Sequence, residues 1–393
     1  MKKFQKIMSY VVVAVLASML TLAVSYSPAP QIKESKLDQL ENLILERFIG
    51  EVDATEMEDS AAAAMIASLG DRWSYYIAAD EYSDYMDQAA NSYVGIGITI
   101  QVMEDNSGFL VTKVNEGGPA DQAGMLPGDL MIAVDGTDVR GWVISDASAL
   151  VKGEENTTVD ITVDRAGEQI LLTITRMRVE TPVATAKMLE GNIGLVTIVN
   201  FDQRCADETI AAMDQLLAEG ATALIFDVRF NPGGYVHELV AVLDHILPEG
   251  DLFRSVDYKG EENVETSDAK CITGIPMVVL VNGESYSAAE FFAAALREYG
   301  YAFVVGEPTV GKGYFQQTFR LKDGSAVGLS TGKYFTPKGI SLAEVGGLIP
   351  DVVIEVDQDT AIAIYGGTLD PMEDPQILAA MDILNNSSLM PIE

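Results

Sequence analysis

At 393 residues, 48 % of them apolar, the chain is long enough for roughly two or three domains and can bury a large core. It carries 25 Lys and Arg against 59 Asp and Glu, a net charge of −34, with a pI of about 4.2. With no basic patch in sight, that balance excludes nucleic acid as a partner, because phosphates have to be neutralised by lysine and arginine. No acidic run is long enough to read as a tail, so the charge reads as solvated faces.

The first residues, "MKKFQKIMSYVVVAVLASMLTLAVSYSPAP", put Lys2, Lys3 and Lys6 ahead of an apolar run from Ile7 to Val24. A basic flank, an apolar centre and small residues make an export signal. The run is at the lower edge of what spans a bilayer, so cleavage near Ser25 and retention as a membrane anchor both stay open. In either case the basic end stays cytoplasmic and the remainder lies outside. Two cysteines, Cys205 and Cys271, could pair in an exported protein or remain two thiols.

Residues 36–90 read as helical: "KLDQLENLILERF" has apolar residues at helical spacing, "EMEDSAAAAMIASL" is rich in helix formers, and "GDRWSYY" breaks the pattern. From Tyr93 the chain alternates like strands, in "YVGIGITIQV", "GFLVTKV" and "TTVDITVDRAGEQILLTITR", with glycine turns and one short helix between. That is the texture of a small, partly open β-barrel. From Gly191 strands and helices take turns: "NIGLVTIVNF", "ADETIAAMDQLLAEG", "ALIFDVRF", "YVHELVAVLDHIL", "PMVVLVNG", "SAAEFFAAALREYG" and "AFVVGEP". This rhythm predicts a largely parallel sheet covered by helices. "DVVIEV" reads as one more strand and "DPQILAAMDIL" as a closing helix.

Sites in such sheets gather at strand ends, and three ends are unusual. "DVRFNPGG" turns sharply through Asn-Pro-Gly-Gly and bares backbone N–H groups suited to an oxyanion, although an ordinary strand–helix turn explains it equally well. "VNGESYSAAEFF" opens a helix at Ser287, where the positive helix end favours a developing oxyanion. Ser287 with Glu290 also fits a capping box, and taken alone the cap is the better reading. "GEPTVGKGYFQQTF" sets Lys312 between two glycines in a loop between strands, with Gln316 four residues on; a lone lysine is ordinarily a surface residue.

Histidine shifts the balance. The chain has two, His237 and His245, both inside one predicted helix and neither at a strand end, so a Ser-His-Asp arrangement has no histidine to use. With no CxxC and only those two histidines, no zinc spacing exists either. A serine with a lysine base remains. Such a base must be neutral, yet at the ordinary lysine pKa only about one molecule in 2,000 is neutral at pH 7. Burial lowers that pKa by up to ~3–5 units, and flanking glycines let backbone pack around the amine. Gln316 could fix the amine by a hydrogen bond without adding charge.

Together, "DVRFNPGG", "VNGESYSAAEFFAAAL" and "VVGEPTVGKGYFQQ" resemble the carboxyl-terminal processing peptidases, exported serine endopeptidases with a Ser-Lys (Gln) site and an inserted PDZ domain. "YVGIGITI" with "GGPADQAGMLPGDLMIAVDG" is similar to that PDZ domain, and the resemblance runs over about residues 36 to 385. It implies an α/β fold, with a crotonase/ClpP-like mixed sheet-and-helix core, an inserted PDZ β-barrel and an N-terminal helical segment. The expected division is 1–27 signal peptide or anchor, 28–90 helical region, 91–178 PDZ domain, 179–357 peptidase core and 358–393 helical tail. By resemblance Ser287 matches the nucleophile, Lys312 the base and Gln316 the residue orienting it. The N–H groups of Ala288 and Gly233, with Gly234 as alternative, match the oxyanion hole, and Gly95, Ile96 and Gly97 match the loop that holds a peptide's terminal carboxylate. Tyr286, Glu284 and Val94 depart from the family's pattern, which bears on cleavage preference. The expectation is an extracytoplasmic endopeptidase, secreted or membrane-anchored, acting on polypeptides with free C-termini, without metal or cofactor and without nucleic acid. Homo-oligomerisation stays open, and the rival is a non-catalytic PDZ-bearing binding or adaptor protein on the same fold.

Overall fold

Every residue of the strands Ala223–Asp227 and Met277–Val281 is buried. Apart from Asp227 they are unbroken apolar runs, which strands covered on both faces require. The two-residue period of a strand sorts them between two cores. Leu224, Phe226, Met277, Val279 and Val281 pack with the helices Cys205–Ala218, Val236–Ile246 and Ala288–Glu298. Ala223, Ile225, Val278 and Leu280 pack with Ile377, Ala380 and Met381 of the helix Pro375–Asn386.

The computed structural model describes residues 35–386 except 104, 269 and 273. The export segment expected at 1–27 lies outside the described residues. Among the described residues no helix is long and apolar enough to cross a membrane. The two buried strands sit in a six-stranded sheet in the order Ala184–Leu189, Ile193–Ile198, Ala223–Asp227, Met277–Val281, Ala302–Gly306 and Val352–Val353. Its first pair is antiparallel and the others parallel. The strand expected over "DVVIEV" contracts to Val352–Val353. Beyond that pair, Val356 donates its N–H to the Glu307 side chain at 3.1 Å, so the ladder ends.

A second, five-stranded antiparallel sheet, which the strand–helix rhythm does not announce, joins Tyr75–Ile77, Ala326–Phe335, Gly250–Asp257 and Glu262–Ser267, with Tyr314–Arg320 also on Ala326–Phe335. Its strands are short or half exposed and come from remote parts of the chain.

Residues between 98 and 175 form a separate sheet in the order Ile98–Val102, Phe109–Val114, Leu130–Val134, Thr158–Arg165 and Glu168–Thr175. It closes over its own core of Ile96, Phe109, Met125, Met131, Ile161 and Ile174. The pair Ser92–Gly95 and Met177–Glu180 carries the chain in and out of it.

The chain divides into two units, with the boundary at Ala62. The first contains the helix Lys36–Arg47. Ser35 Oγ accepts from Asp38 N–H at 3.1 Å, and Asp38 Oδ2 accepts from Ser35 N–H at 2.8 Å, a complete capping box. Leu37, Leu40 and Leu43 of this helix are exposed.

Candidate active site

Three strand ends meet. The turn after Ala223–Asp227 and the turn after Met277–Val281 are stitched together by buried asparagines. Asn282 Oδ1 accepts from Phe230 N–H at 2.9 Å, Tyr286 N–H donates to the Asn231 carbonyl at 3.1 Å, and Asn231 Nδ2 donates to the Ile198 carbonyl at 2.8 Å. Gly233 is obligatory here. Its φ is +92°, and a Cβ would lie 2.7 Å from Ser287 Cβ and 2.9 Å from Ala288 N.

Ser287 opens the helix Ala288–Glu298 with φ 57° and ψ −125°. An ordinary cap is extended; a serine held at positive φ stores of order 1–3 kcal/mol, which surrounding contacts must over-determine. They do so through Glu290, which is fully buried. Glu290 Oε2 accepts from Ser287 N–H at 2.9 Å and from Lys312 N–H at 2.9 Å. Glu290 Oε1 accepts from Gly311 N–H at 2.7 Å and from the Thr309 hydroxyl. One carboxylate therefore ties the serine turn to the lysine loop. Burial pushes its pKa up, and these four donors, which favour the ionised form, oppose the rise.

Ser287 Oγ accepts a hydrogen bond from the Tyr334 hydroxyl at 2.9 Å. Tyr334 is buried, with its ring 4.5 Å from that of Phe291 in a T-shaped contact, and burial holds its phenol well above the ordinary value. The Lys312 amine lies over the Trp73 ring, 4.7 Å from its centroid, and 5.9 Å from that of Tyr286. Burial pushes Lys312 down to about 8; Asp71 and Glu290 pull it back up and Arg72 adds to the depression. The expected hydrogen bond from Gln316 to the amine is not formed among the described residues. The Gln316 amide donates to the Tyr314 carbonyl at 3.1 Å and to Ser330 Oγ at 3.0 Å.

Ser287, Lys312, Gln316, Gly233 and Gly234 all line one cavity of about 530 Å³, and Ala288 begins the helix beside it. Gly233 N–H donates to Asn231 Oδ1 at 2.8 Å. The structure does not bring Gly95, Ile96 and Gly97 into this cavity. They line another, of about 450 Å³, with Ile98, Ile100, Val151 and Lys152. The Ile96 side chain is buried in the core of that domain, so only its backbone can face a ligand. Gln88 lines both cavities.

Cys205 and Cys271 are free thiols, so the pairing left open by their number is not made. Burial pushes the Cys205 thiol up to about 12, which leaves it inert. No cluster of three or more metal-ligating side chains exists among the described residues. Sequence reasoning misses Tyr334, which carries no local signal, and Trp73 and Asp71, whose only trace is the broken pattern "GDRWSYY". Glu290 is visible in the sequence as a cap and nothing more.

The chain resembles known proteins along most of its length. The family model described as Peptidase family S41 matches residues 192–354, and a PDZ domain model matches residues 110–165. The carboxy-terminal processing protease CtpA of Bacillus subtilis is 33 % identical over 351 residues, spanning 86 % of this chain and 75 % of that protein. The carboxyl-terminal-processing protease of a Synechocystis species is 28 % identical, spanning 83 % of this chain and 76 % of that one. A crystal structure of a Bacteroides fragilis protein assigned as an S41 protease superimposes with a TM-score of 0.53 at 15 % identity, over 88 % of this chain and 97 % of that one, a likeness of fold.

Proposed function

The chain belongs to peptidase family S41, a PDZ-bearing carboxy-terminal processing serine protease, and on that premise we propose that Ser287 is its nucleophile and Lys312 its general base. The observation that carries the reading is the Glu290 carboxylate, which holds the Ser287 and Lys312 backbones on one oxygen. A structural cap needs no second segment; a two-residue catalytic machine needs both at a fixed separation.

Ser287 Oγ attacks the carbonyl carbon of the scissile bond as its proton passes to Lys312 Nζ. The C–N bond then breaks, and the lysinium returns that proton to the leaving amine. Water, deprotonated by the same amine, then attacks the acyl carbon; the C–Oγ bond breaks and the lysinium returns the proton to Ser287 Oγ. For the first transfer the amine leaves the Trp73 face and the serine hydroxyl leaves Tyr334. Catalytic hydrogen bonds often tighten only once substrate is bound. The reading assigns the oxyanion to the N–H of Ala288, at the positive helix end, and to that of Gly234 from the facing turn. Gln316 fixes the lysine strand through Tyr314 and Ser330.

The loop Gly95-Ile96-Gly97 receives the substrate's terminal carboxylate on backbone donors, with Ile98, Ile100 and Val151 beside the last side chain. Export through the segment 1–27 would place the enzyme on extracytoplasmic polypeptides. The test is incubation with an unfolded protein and mass spectrometry of the fragments, for the wild type and Ser287→Ala. Cleavage by the wild type, and its loss by about ten-thousandfold in a folded variant, is expected. A folded Ser287→Ala protein that still cleaves at the wild-type rate removes Ser287 from the mechanism.

A further inference from the structure

Of the described side chains lining the Ser287 cavity, Lys312 is the one cation and Asp202 the one carboxylate. The mechanism uses the first and leaves the second without a role. Asp202 follows Phe201, whose N–H donates to the Gly233 carbonyl at 2.7 Å and whose carbonyl accepts from Tyr235 N–H at 2.7 Å. A Cβ on Gly234 would lie 2.7 Å from Asp202 N. Asp202 is thus clamped against the same glycine pair that packs on Ser287. Its backbone is fixed from both sides: its N–H donates to Asn200 Oδ1 at 3.0 Å, and its carbonyl accepts from Cys205 N–H at 3.1 Å.

Its carboxylate has no hydrogen bond or ion pair among the described residues. Burial, with the like charge of Glu238, pushes its pKa up to about 6. An unpaired and partly desolvated carboxylate costs stability, and a group kept at a cost inside a cavity calls for a partner from outside. Asp202 is not wired to the base, because the charges acting on Lys312 are those of Asp71, Glu290 and Arg72. Its field falls instead on the Tyr235 phenol, which also feels Tyr85 and Tyr82. Tyr75, Tyr85 and Tyr235 line the cavity with Asp202. Aromatic faces beside a lone carboxylate form a receptor for a cation on a flexible stem. The net charge of −34 adds a long-range attraction for basic chains.

We propose that Asp202 is a specificity residue, which seats a lysine or arginine side chain of the polypeptide substrate when the scissile bond lies at Ser287. The inference rests on Ser287 as the nucleophile and adds the class of substrate residue that the cavity prefers.

The experiment uses the full chain and a series of unfolded peptides in which one lysine is moved through the residues flanking the cleavage bond, each paired with its norleucine twin. At one position the wild-type kcat/KM should favour lysine by about tenfold. In Asp202→Asn the lysine-to-norleucine ratio at that position should fall toward one. A second arm needs no variant: at the same position a glutamyl peptide should be cut more slowly by the wild type than a glutaminyl one. Cleavage with no lysine preference at any position, a glutamyl peptide cut as fast as its twin, or an unaltered ratio in Asp202→Asn overturns the inference and leaves Ser287 in place. Cleavage that persists in Ser287→Ala, or no cleavage at all, overturns the reading of Ser287 and this inference with it.

Discussion

The Ser287 cavity and the cavity at Gly95–Gly97 are similar in volume, about 530 and 450 Å³, and opposite in construction. The Ser287 cavity draws its walls from segments as far apart as Tyr75, Asp202, Ser287 and Tyr334, and buried polar contacts centred on Asn231, Asn282 and Glu290 hold them in register. The cavity at Gly95–Gly97 draws mainly on the strands Ser92–Gly95 and Ile98–Val102 and the helix Ile144–Val151, with an apolar floor of Ile98, Ile100 and Val151. Apolar floors tolerate repacking of similar volume. Polar networks fail when one member goes, because the remaining groups stay buried and unsatisfied. The first cavity should therefore be brittle in both activity and stability, and the second graded in affinity alone.

The largest effect expected from breaking the polar side is at Lys312. Arginine keeps the charge but cannot surrender its proton, so Lys312→Arg should lose about a thousandfold or more in kcat/KM, as Lys312→Ala does. In the wild type the rate should rise with pH through about 8, the value to which burial holds the amine, because the neutral form is the base. A substantial rate in the arginine variant, or a flat profile across that range, would leave Lys312 as a cation only.

Arg229 tests stability. It is buried, donating to Asp227 at 2.6 Å, Asp374 at 2.8 Å and Gln376 at 2.8 Å, and so pins the strand end that leads into the glycine turn onto the helix Pro375–Asn386. Arg229→Met strands two carboxylates and should cost about 3–5 kcal/mol in denaturant unfolding. A loss within error would mean that this network is not what holds the turn.

Glu290→Gln keeps the side chain's size, removes its charge and replaces one accepting oxygen by an NH2, so two of the four donors lose their acceptor. We expect kcat to fall about a hundredfold with KM little changed. Glu290 raises the Lys312 pKa, so the alkaline rise in rate should also move to lower pH. A purely structural carboxylate would lower the amount of folded enzyme and leave that profile where it was.

The smallest effect belongs to the apolar side. Amidating the C-terminus of a peptide should weaken its binding to Ser287→Ala by about tenfold in calorimetry. Added salt should not weaken the free acid, because the net charge repels it and short hydrogen bonds hold it. Equal affinity for the two forms would remove tail reading from the Gly95–Gly97 loop.

What the sequence determined by itself is whatever depends on neighbours along the chain. Unalternating runs such as "ALIFD" and "MVVLV" announced strands buried on both faces, and the regular return of helices announced the parallel sheet, because a strand–helix period is a local property of burial. Ser287 at a helix start and Lys312 in a glycine-flanked loop were legible for the same reason. The five-stranded sheet was not, since Tyr75–Ile77 pairs with Ala326–Phe335 across some 250 residues and its strands carry no pattern that singles them out. The tertiary structure alone decided that Glu290 reaches beyond its own helix to the Lys312 loop, that Tyr334 holds the serine hydroxyl, that Asn231 occupies the Gly233 N–H, and that Asp202 faces the cavity unpaired. The tie made by Tyr334, like that from Glu290 to the Lys312 loop, is a polar contact between remote segments. Its geometry is fixed only when the cores on either side have closed, so no spacing in the chain encodes it.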